Sequence, residues 1–196
     1  MVATHREPVT RRVLLLGSAV LAGGALTACG ALADEALPGT LSNIDVLPAP
    51  VRDRLGEAMR AAIAAAPPGA PFGAVLVDAS TGAIVAAAGN ETVTGDPSAH
   101  AEVDVMRKAG LAGVDLTSTV LVTTAESCAM CAACAVWAGV QSVVYGTSIA
   151  FLADSGWEQF RLTQPQIVAA SWLTQPIIGG YLSELTDPLY ASGPPA

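Results

Sequence analysis

The hydrophobic pattern changes its period along the chain and predicts alternating helices and strands. Residues 51–66 carry apolar side chains at helical spacing and stop at two prolines, which predicts an amphipathic helix. Continuous apolar runs at 72–78 and 83–88 flank a Ser-Thr-Gly turn and predict a hairpin of two buried strands. Two further runs, 119–124 and 142–146, enclose a cysteine-rich helix. This strand-helix-strand order predicts a parallel pair with a right-handed crossover.

A second helix is predicted between the hairpin and the third strand. Asp96 stands where an N-cap is expected, and the helix would begin at about Pro97 or Ala99. It would run to Ala109, with Gly110 as its stop. The tail from residue 157 to residue 190 is expected to add helix and an edge strand.

The N-terminal pattern predicts an export signal. Arg11 and Arg12 precede an apolar run that ends near Ala28, which is short for a membrane span, and the pair resembles a twin-arginine signal. Residues 26–30 resemble a bacterial lipobox, which implies cleavage before Cys29 and attachment of lipid to its sulfur. The alternative is an N-terminal membrane anchor with a chance cysteine. We therefore expect a bacterial protein that is exported and lipid-anchored to the cell envelope.

Domain organisation follows from these signals. Residues 1–28 are predicted to be the signal peptide, and 29–49, rich in proline and small residues, a flexible tether. Residues 50–196 are predicted to form one catalytic domain, which is long enough to bury a core.

Charge restricts the partners of this domain. The formal net charge of the whole chain is −8, and the part after residue 28 holds six basic and sixteen acidic side chains, a net charge of −10. Such a surface repels phosphate backbones, so nucleic acid is not expected as a partner. A small neutral or cationic substrate suits it better.

The candidate chemistry lies in the cysteine-rich helix. Cys128 and Cys131 stand three residues apart at its predicted start, with Cys134 one turn further on. The chain has two histidines, and since His5 falls in the leader, His100 is left to complete a metal site. A catalytic zinc ion takes three protein ligands and keeps a position for water. The pattern predicts one Zn²⁺ on His100, Cys128 and Cys131, with Cys134 in the core.

Glu102 follows His100 by two residues and is predicted to be catalytic. Helix positions two apart do not share a face, so Glu102 would remain outside the metal's ligand set but close to its water. Zinc lowers the pKa of that water to produce a hydroxide, and Glu102 would carry protons to the substrate and the leaving ammonia. The alternatives are a structural zinc in an inactive protein and a disulfide between the paired cysteines after export.

Five segments, in this order and spacing, resemble the cytidine deaminase-like superfamily. They are most similar to its branch of guanine deaminases, other free-base or nucleoside deaminases and tRNA adenosine deaminases. The segments are residues 70–77, 89–90, 96–102, 128–131 and 136–138. The resemblance implies a three-layer α/β/α sandwich with a mixed, about five-stranded sheet, and usually a homodimer. It also implies substrate contacts from Asn90, from Phe72 and from the backbone of Ala101.

Two departures from the family pattern affect the interpretation. Ser127 replaces the proline that usually precedes the first cysteine ligand, which loosens the turn and adds a donor. Guanine deaminases carry an acidic residue several positions after the strand that ends at Tyr145-Gly146, whereas Ala150 and Phe151 stand at that distance here. The identity of the base therefore stays open.

The sequence predicts a zinc-dependent hydrolase that removes an exocyclic amine from a nucleobase, nucleoside or related heterocycle. One alternative is a tRNA adenosine deaminase, which the acidic surface disfavours. Another, from a different class, is a non-catalytic zinc-containing envelope lipoprotein.

Overall fold

The computed structural model describes residues 40–195. The predicted signal peptide and the lipid-accepting Cys29 lie outside the described residues and stay predictions. Within 40–195, no helix combines the length and the hydropathy needed to cross a membrane. Packing begins before residue 50, since Leu47 is buried and the Ser42 N–H donates to the Ile177 carbonyl at 2.7 Å.

A mixed five-stranded sheet forms the centre of the described chain. The strands are β1 (Gly73–Asp78), β2 (Ile84–Gly89), β3 (Thr119–Ala125), β4 (Ser142–Thr147) and β5 (Ile177–Ile178). Their order is β2-β1-β3-β4-β5; β1 pairs antiparallel with both β2 and β3, while the β3/β4 and β4/β5 pairs are parallel. The predicted hairpin and parallel crossover are confirmed.

Helices cover both faces of this sheet because the central strands are apolar on both sides. The helices are α1 (Ala49–Ala65), α2 (Ala101–Leu111), α3 (Ala129–Ala138), α4 (Ile149–Asp154), α5 (Gln164–Ala169) and α6 (Ser183–Tyr190). On β1, Val75 lies in one buried cluster with Leu55 of α1, whereas the adjacent Leu76 lies in another with Val105 of α2 and Val136 of α3. The predicted three-layer α/β/α sandwich is confirmed.

β2 differs from its prediction as a buried strand. Ile84 and Val85 are 38% and 40% exposed, because β2 lies at the edge of the sheet with β1 as its single neighbour. Its apolar, alanine-rich sequence is typical of a covered strand, and periodicity alone does not distinguish an edge from a centre.

The start of α2 also differs from its prediction. The Asp96 side chain accepts hydrogen bonds from the N–H and the hydroxyl of Ser98, at 2.8 and 2.6 Å, and so stabilises a turn instead of capping a helix. The helix begins at Ala101, and His100 is its N-cap with an extended backbone. At the other end, α2 continues one residue past Gly110. The local bond of Asp96 thus shifts the helix start to the residue after the histidine.

Close packing of α1 against β1 requires glycine at position 73. A Cβ there would meet the Ala62 carbonyl oxygen and come within 2.9 Å of the Ala66 nitrogen. We predict that Gly73→Ala lowers the free energy of unfolding by about 1–3 kcal/mol. Gly110→Ala, with Leu116 Cδ1 nearest at 3.7 Å, should raise it by about 0.5–1 kcal/mol. Denaturant unfolding measures both, and equal effects would contradict the packing account.

Candidate active site

The site lies where two helix N-termini meet on one face of the sheet. His100 is the N-cap of α2 and Cys128 the N-cap of α3, and both residues have extended backbones. Cys131 follows in the first turn of α3 and is fully buried. α2 and α3 pack on the same side of β1 and β3, so the strand pairing brings together side chains about 30 residues apart.

The three predicted metal ligands converge. The Sγ atom of Cys128 lies 3.6 Å from His100 Nδ1 and 3.6 Å from Cys131 Sγ, and Cys131 Sγ lies 3.5 Å from His100 Nδ1. Tetrahedral zinc, with bonds of about 2.3 Å to sulfur and about 2.0 Å to nitrogen, places its ligand atoms about 3.5–3.8 Å apart. The residues present therefore fit a zinc ion. Cys134 is half-buried and lies outside this cluster.

The hydrogen bond between the two sulfurs shifts the pKa values of Cys128 and Cys131 in opposite directions. The pKa of Cys128 is lowered to about 4, because its sulfur accepts a hydrogen bond from Cys131 and lies beside His100. The same hydrogen bond, together with burial, raises the pKa of Cys131. His100 in turn has a raised pKa through its hydrogen bond with Cys128. A metal ion must displace the proton held between the sulfurs, since cysteine binds zinc as the thiolate.

Glu102 is buried beside the cluster, and burial raises the pKa of its carboxyl group. It is the second residue of α2 and lines a cavity that also contains His100 and Cys128. A carboxyl group with a raised pKa can accept and return a proton near neutral pH. Ala101 is fully buried between His100 and Glu102, and its predicted backbone contact stays a prediction.

The cavity has a volume of about 180 Å³, and no lysine or arginine is among its lining residues. Phe72 forms an aromatic wall with Trp157, in an edge-to-face contact with centroids 5.1 Å apart. Tyr190 of α6 lies behind it, 5.0 Å from Phe72. The C-terminal helix of this chain thus supports the cavity of the same chain. The lining residues are Phe72, Asn90, His100, Glu102, Glu126, Cys128, Trp157, Glu158 and Gln159.

Asn90 follows β2 and presents one end of its amide to the cavity. Its Oδ1 atom accepts hydrogen bonds from the N–H and the hydroxyl of Thr92, at 3.1 and 2.7 Å, and its backbone N–H donates to the Phe72 carbonyl at 2.9 Å. Because Oδ1 accepts both hydrogen bonds from Thr92, the orientation of the Asn90 amide is fixed, and Nδ2 is available to donate a hydrogen bond. Asn90 and Phe72 are therefore fixed to each other at the cavity wall.

The segment after β4 supplies cavity residues that the sequence analysis missed. Ala150 and Phe151, which stand at the family's acidic position by counting, belong to α4 and do not line the cavity. Glu158 does line it, next to Trp157. Helix α4 is not among the elements that the sequence predicts, and the residues after Gly156 therefore carry no sequence signal of their place at the cavity.

Ser127, the departure from the family motif, is fully buried. Its hydroxyl has no hydrogen-bond partner among the described residues. The donor that serine adds at this position is therefore not used to hold the turn before Cys128.

The cysteines offer a matched test of the metal site. We predict that Cys131→Ala weakens zinc binding by at least about 100-fold, because loss of a ligand exceeds the 10–100-fold cost of losing an outer partner. Cys134→Ala should leave zinc affinity within a few-fold of the parent protein. Competition with a chromophoric chelator measures both affinities. Equal weakening in the two variants would exclude the three-ligand assignment.

Similarity to known proteins agrees with this site. Residues 52–147 match the cytidine and deoxycytidylate deaminase zinc-binding region. Guanine deaminase of Bacillus subtilis is 35% identical over 126 residues, which are 63% of this chain and 80% of that protein. A solved guanine deaminase from Nitrosomonas europaea matches 79% of this chain and 87% of its own, with 25% identity and a TM-score of 0.60. A further solved structure, of a mutant in complex with 8-azaguanine, matches 80% of this chain and 94% of its own, with 26% identity and a TM-score of 0.59.

The zinc-binding region and the converging ligands together assign one Zn²⁺ to the chain. The protein belongs to the cytidine and deoxycytidylate deaminase family.

Proposed function

We propose that this protein is a hydrolytic deaminase of a nucleobase, with guanine as the first substrate to test. The observation that carries the proposal is the buried carboxyl group of Glu102 beside the His100, Cys128 and Cys131 cluster, inside a cavity. A purely structural zinc site has no use for a buried carboxyl group outside its ligand set, and burying one costs free energy. The non-catalytic alternative is therefore disfavoured.

The residues around the cavity have separate roles in the proposed deamination. Zinc, when bound by His100, Cys128 and Cys131, supplies Lewis-acid activation of water. Glu102 receives a proton and delivers it toward the amine that leaves as ammonia, a role that suits its raised pKa. Release of ammonia completes the exchange of an exocyclic amine for an oxygen.

The cavity walls support a free base as the substrate. Phe72 offers an aromatic surface for a flat ring, while Asn90 Nδ2 donates and the Glu158 carboxylate accepts hydrogen bonds. The enclosed part of this space, about 180 Å³, borders a more open space of about 350 Å³ that is also lined by His100, Cys128, Glu158 and Gln159. The lining residues, and not the volume, therefore indicate the substrate class. The guanine deaminases among the relatives and the 8-azaguanine complex support a purine.

The charges at the cavity disfavour the tRNA alternative. Glu102, Glu126 and Glu158 line the cavity, and no lysine or arginine does. The only basic residue after Lys108 is Arg161. A polyanionic substrate would need a basic track toward the cavity. Export and lipid attachment through Cys29 remain part of the proposal and rest on the leader sequence.

A homodimer also remains a proposal, and the outer face of α3 supports it. No residue of α3 has a polar side chain apart from its cysteines, and Trp137 is 76% exposed. Trp137 stacks edge to face on Trp172, which is 68% exposed, with centroids 4.5 Å apart. A helix that is apolar on all sides is typical of a covered position.

We expect a second copy of the chain to cover this face of α3. Two acidic copies repel each other wherever their charges meet, and the α3 face carries none. Each tryptophan buries about 150–250 Å² when covered, a substantial part of the about 800 Å² per partner in a stable interface. A two-fold axis would place this self-complementary face against itself.

Glu102 gives the direct test of the activity. We predict that Glu102→Gln keeps zinc content and thermal stability but lowers ammonia release by at least about 100-fold, because the amide does not shuttle protons. Ammonia release from guanine, cytosine, adenine and their nucleosides is the measurement. Glu184→Gln, a change of an exposed residue on α6, is the matched control. Full turnover by the Glu102 variant would exclude the mechanism, and no ammonia from any base would exclude the proposed function.

Trp137 tests the dimer. We predict that Trp137→Ser shifts the mass measured by light scattering during gel filtration from dimer to monomer, because the largest exposed apolar group of the face is lost. Leu111→Ser is the control, since Leu111 is 86% exposed at the end of α2 and belongs neither to α3 nor to the Trp137–Trp172 pair. A parent protein that is monomeric at all concentrations would contradict the proposal, as would a dimer that both variants retain.

A further inference from the structure

Glu126 connects residues 126–128, the metal loop that leads from β3 to α3, to the segment that covers the cavity. Its Oε2 atom accepts a hydrogen bond from the Ile149 N–H at 2.9 Å, and its Oε1 atom accepts one from the Gln164 N–H at 2.8 Å. Ile149 is the first residue of α4 and Gln164 the first residue of α5. One buried carboxylate therefore holds both ends of residues 149–164, which we name the cover segment.

The cover segment forms one side of the cavity. Trp157, Glu158 and Gln159 belong to it and line the space in front of the metal ligands. The segment contains no strand. Its middle is anchored by Leu152, which is buried in one cluster with Ala125 and Tyr190, and by Trp157, whose Nε1–H donates to the Tyr190 carbonyl at 3.0 Å. Glu126 adds the hydrogen bonds that hold its two ends.

The bonds from Glu126 are not needed to form the two short helices. Each helix has its own cap, in which Ser148 Oγ accepts from the Phe151 N–H and Thr163 Oγ1 accepts from the Gln166 N–H. The N–H of the first residue of each helix has no partner within its own helix. The Glu126 carboxylate accepts a hydrogen bond from each of these two N–H groups. A buried carboxylate bonded to two helix N-termini makes charge-assisted hydrogen bonds, the strongest class available here. The carboxylate therefore docks the helices and does not nucleate them.

The other side of Glu126 is fixed to the sheet and to the metal loop. Its backbone N–H donates to the Thr147 carbonyl at 2.7 Å, which joins the ends of β3 and β4. Cys128 follows two residues later. Glu126 thus connects both ends of the cover segment to the chain that carries the zinc ligands.

We propose that Glu126 is a positioning residue, which holds the cover segment closed over the cavity and thereby sets substrate affinity. The link to affinity rests on the proposed deaminase function, whereas the docking of the segment does not. Loss of one of the two bonds should loosen the segment, raise KM and leave kcat and zinc content much less changed.

The chain contains a built-in reporter of this docking. Arg161 lies exposed in the cover segment and is the only basic residue after Lys108. Trypsin can therefore cut residues 109–196 at one place alone, and the product, residues 162–196, has no further site. The rate at which this fragment appears from the native zinc-loaded protein measures how often the segment opens.

The first test replaces the carboxylate by its amide. Glu126→Gln turns one acceptor into a donor that faces a backbone N–H, so we expect release of the 162–196 fragment to rise about tenfold. KM for the base that is turned over should rise by a similar factor, with kcat within about threefold. Glu184→Gln is the matched control and should change neither. Unchanged fragment release in Glu126→Gln would overturn the docking, and an unchanged KM would overturn its link to affinity.

The second test approaches the same bond from its donor. Gln164→Pro removes the N–H that bonds Glu126, at a first helical position that tolerates proline. Gln164→Ala loses the same side chain and keeps the N–H. Faster fragment release from the proline variant than from the alanine variant supports the proposal, and equal rates overturn it. If no base is turned over, the proposed function fails, while this proteolysis pair still decides the docking.

Discussion

The site depends on the meeting of two helix N-termini. His100 and Cys128 occupy N-cap positions, where an extended backbone turns the side chain away from the helix that follows. The dipoles and free N–H groups of both helices favour negative charge at this point, which stabilises thiolate and compensates for the burial of Glu102 nearby. Because α2 and α3 pack on the same face of the sheet, the meeting point is fixed by the core and not by loops.

The sheet and the connecting segments hold the residues around this meeting point in place. The parallel β3/β4 pair places the ends of both strands together, and Glu126 continues from β3 directly into the metal loop. The antiparallel β1/β2 pair brings Phe72 and Asn90 to the same end of the sheet. Rigid elements thus supply the ligands, while connecting segments supply the walls. This division is common in α/β proteins, in which a scaffold positions functional loops.

Local patterns in the sequence predicted the parts of the structure that local interactions determine. The convergence of His100, Cys128 and Cys131 could be predicted because these residues lie in two short segments with a recognisable spacing. The catalytic role of Glu102 stays a prediction. The start of α2 was placed too early because the bond from Asp96 to Ser98 is not visible in a hydrophobic pattern. Glu158 was missed for a non-local reason. The cover segment is held by a carboxylate 23 residues before Ile149, and no periodicity reports such a contact.

The buried Tyr190 makes the cavity depend on a contact between distant parts of the chain. Its hydroxyl bonds the Pro71 carbonyl and Thr124, each at 2.8 Å, so α6 closes against the entrance of the first strand. All three zinc ligands precede Tyr190 by at least 59 residues, as the numbering shows. The metal ligands and the helix that supports the aromatic wall are thus far apart in the chain, and the wall is complete only when residues 183–190 have packed against the sheet.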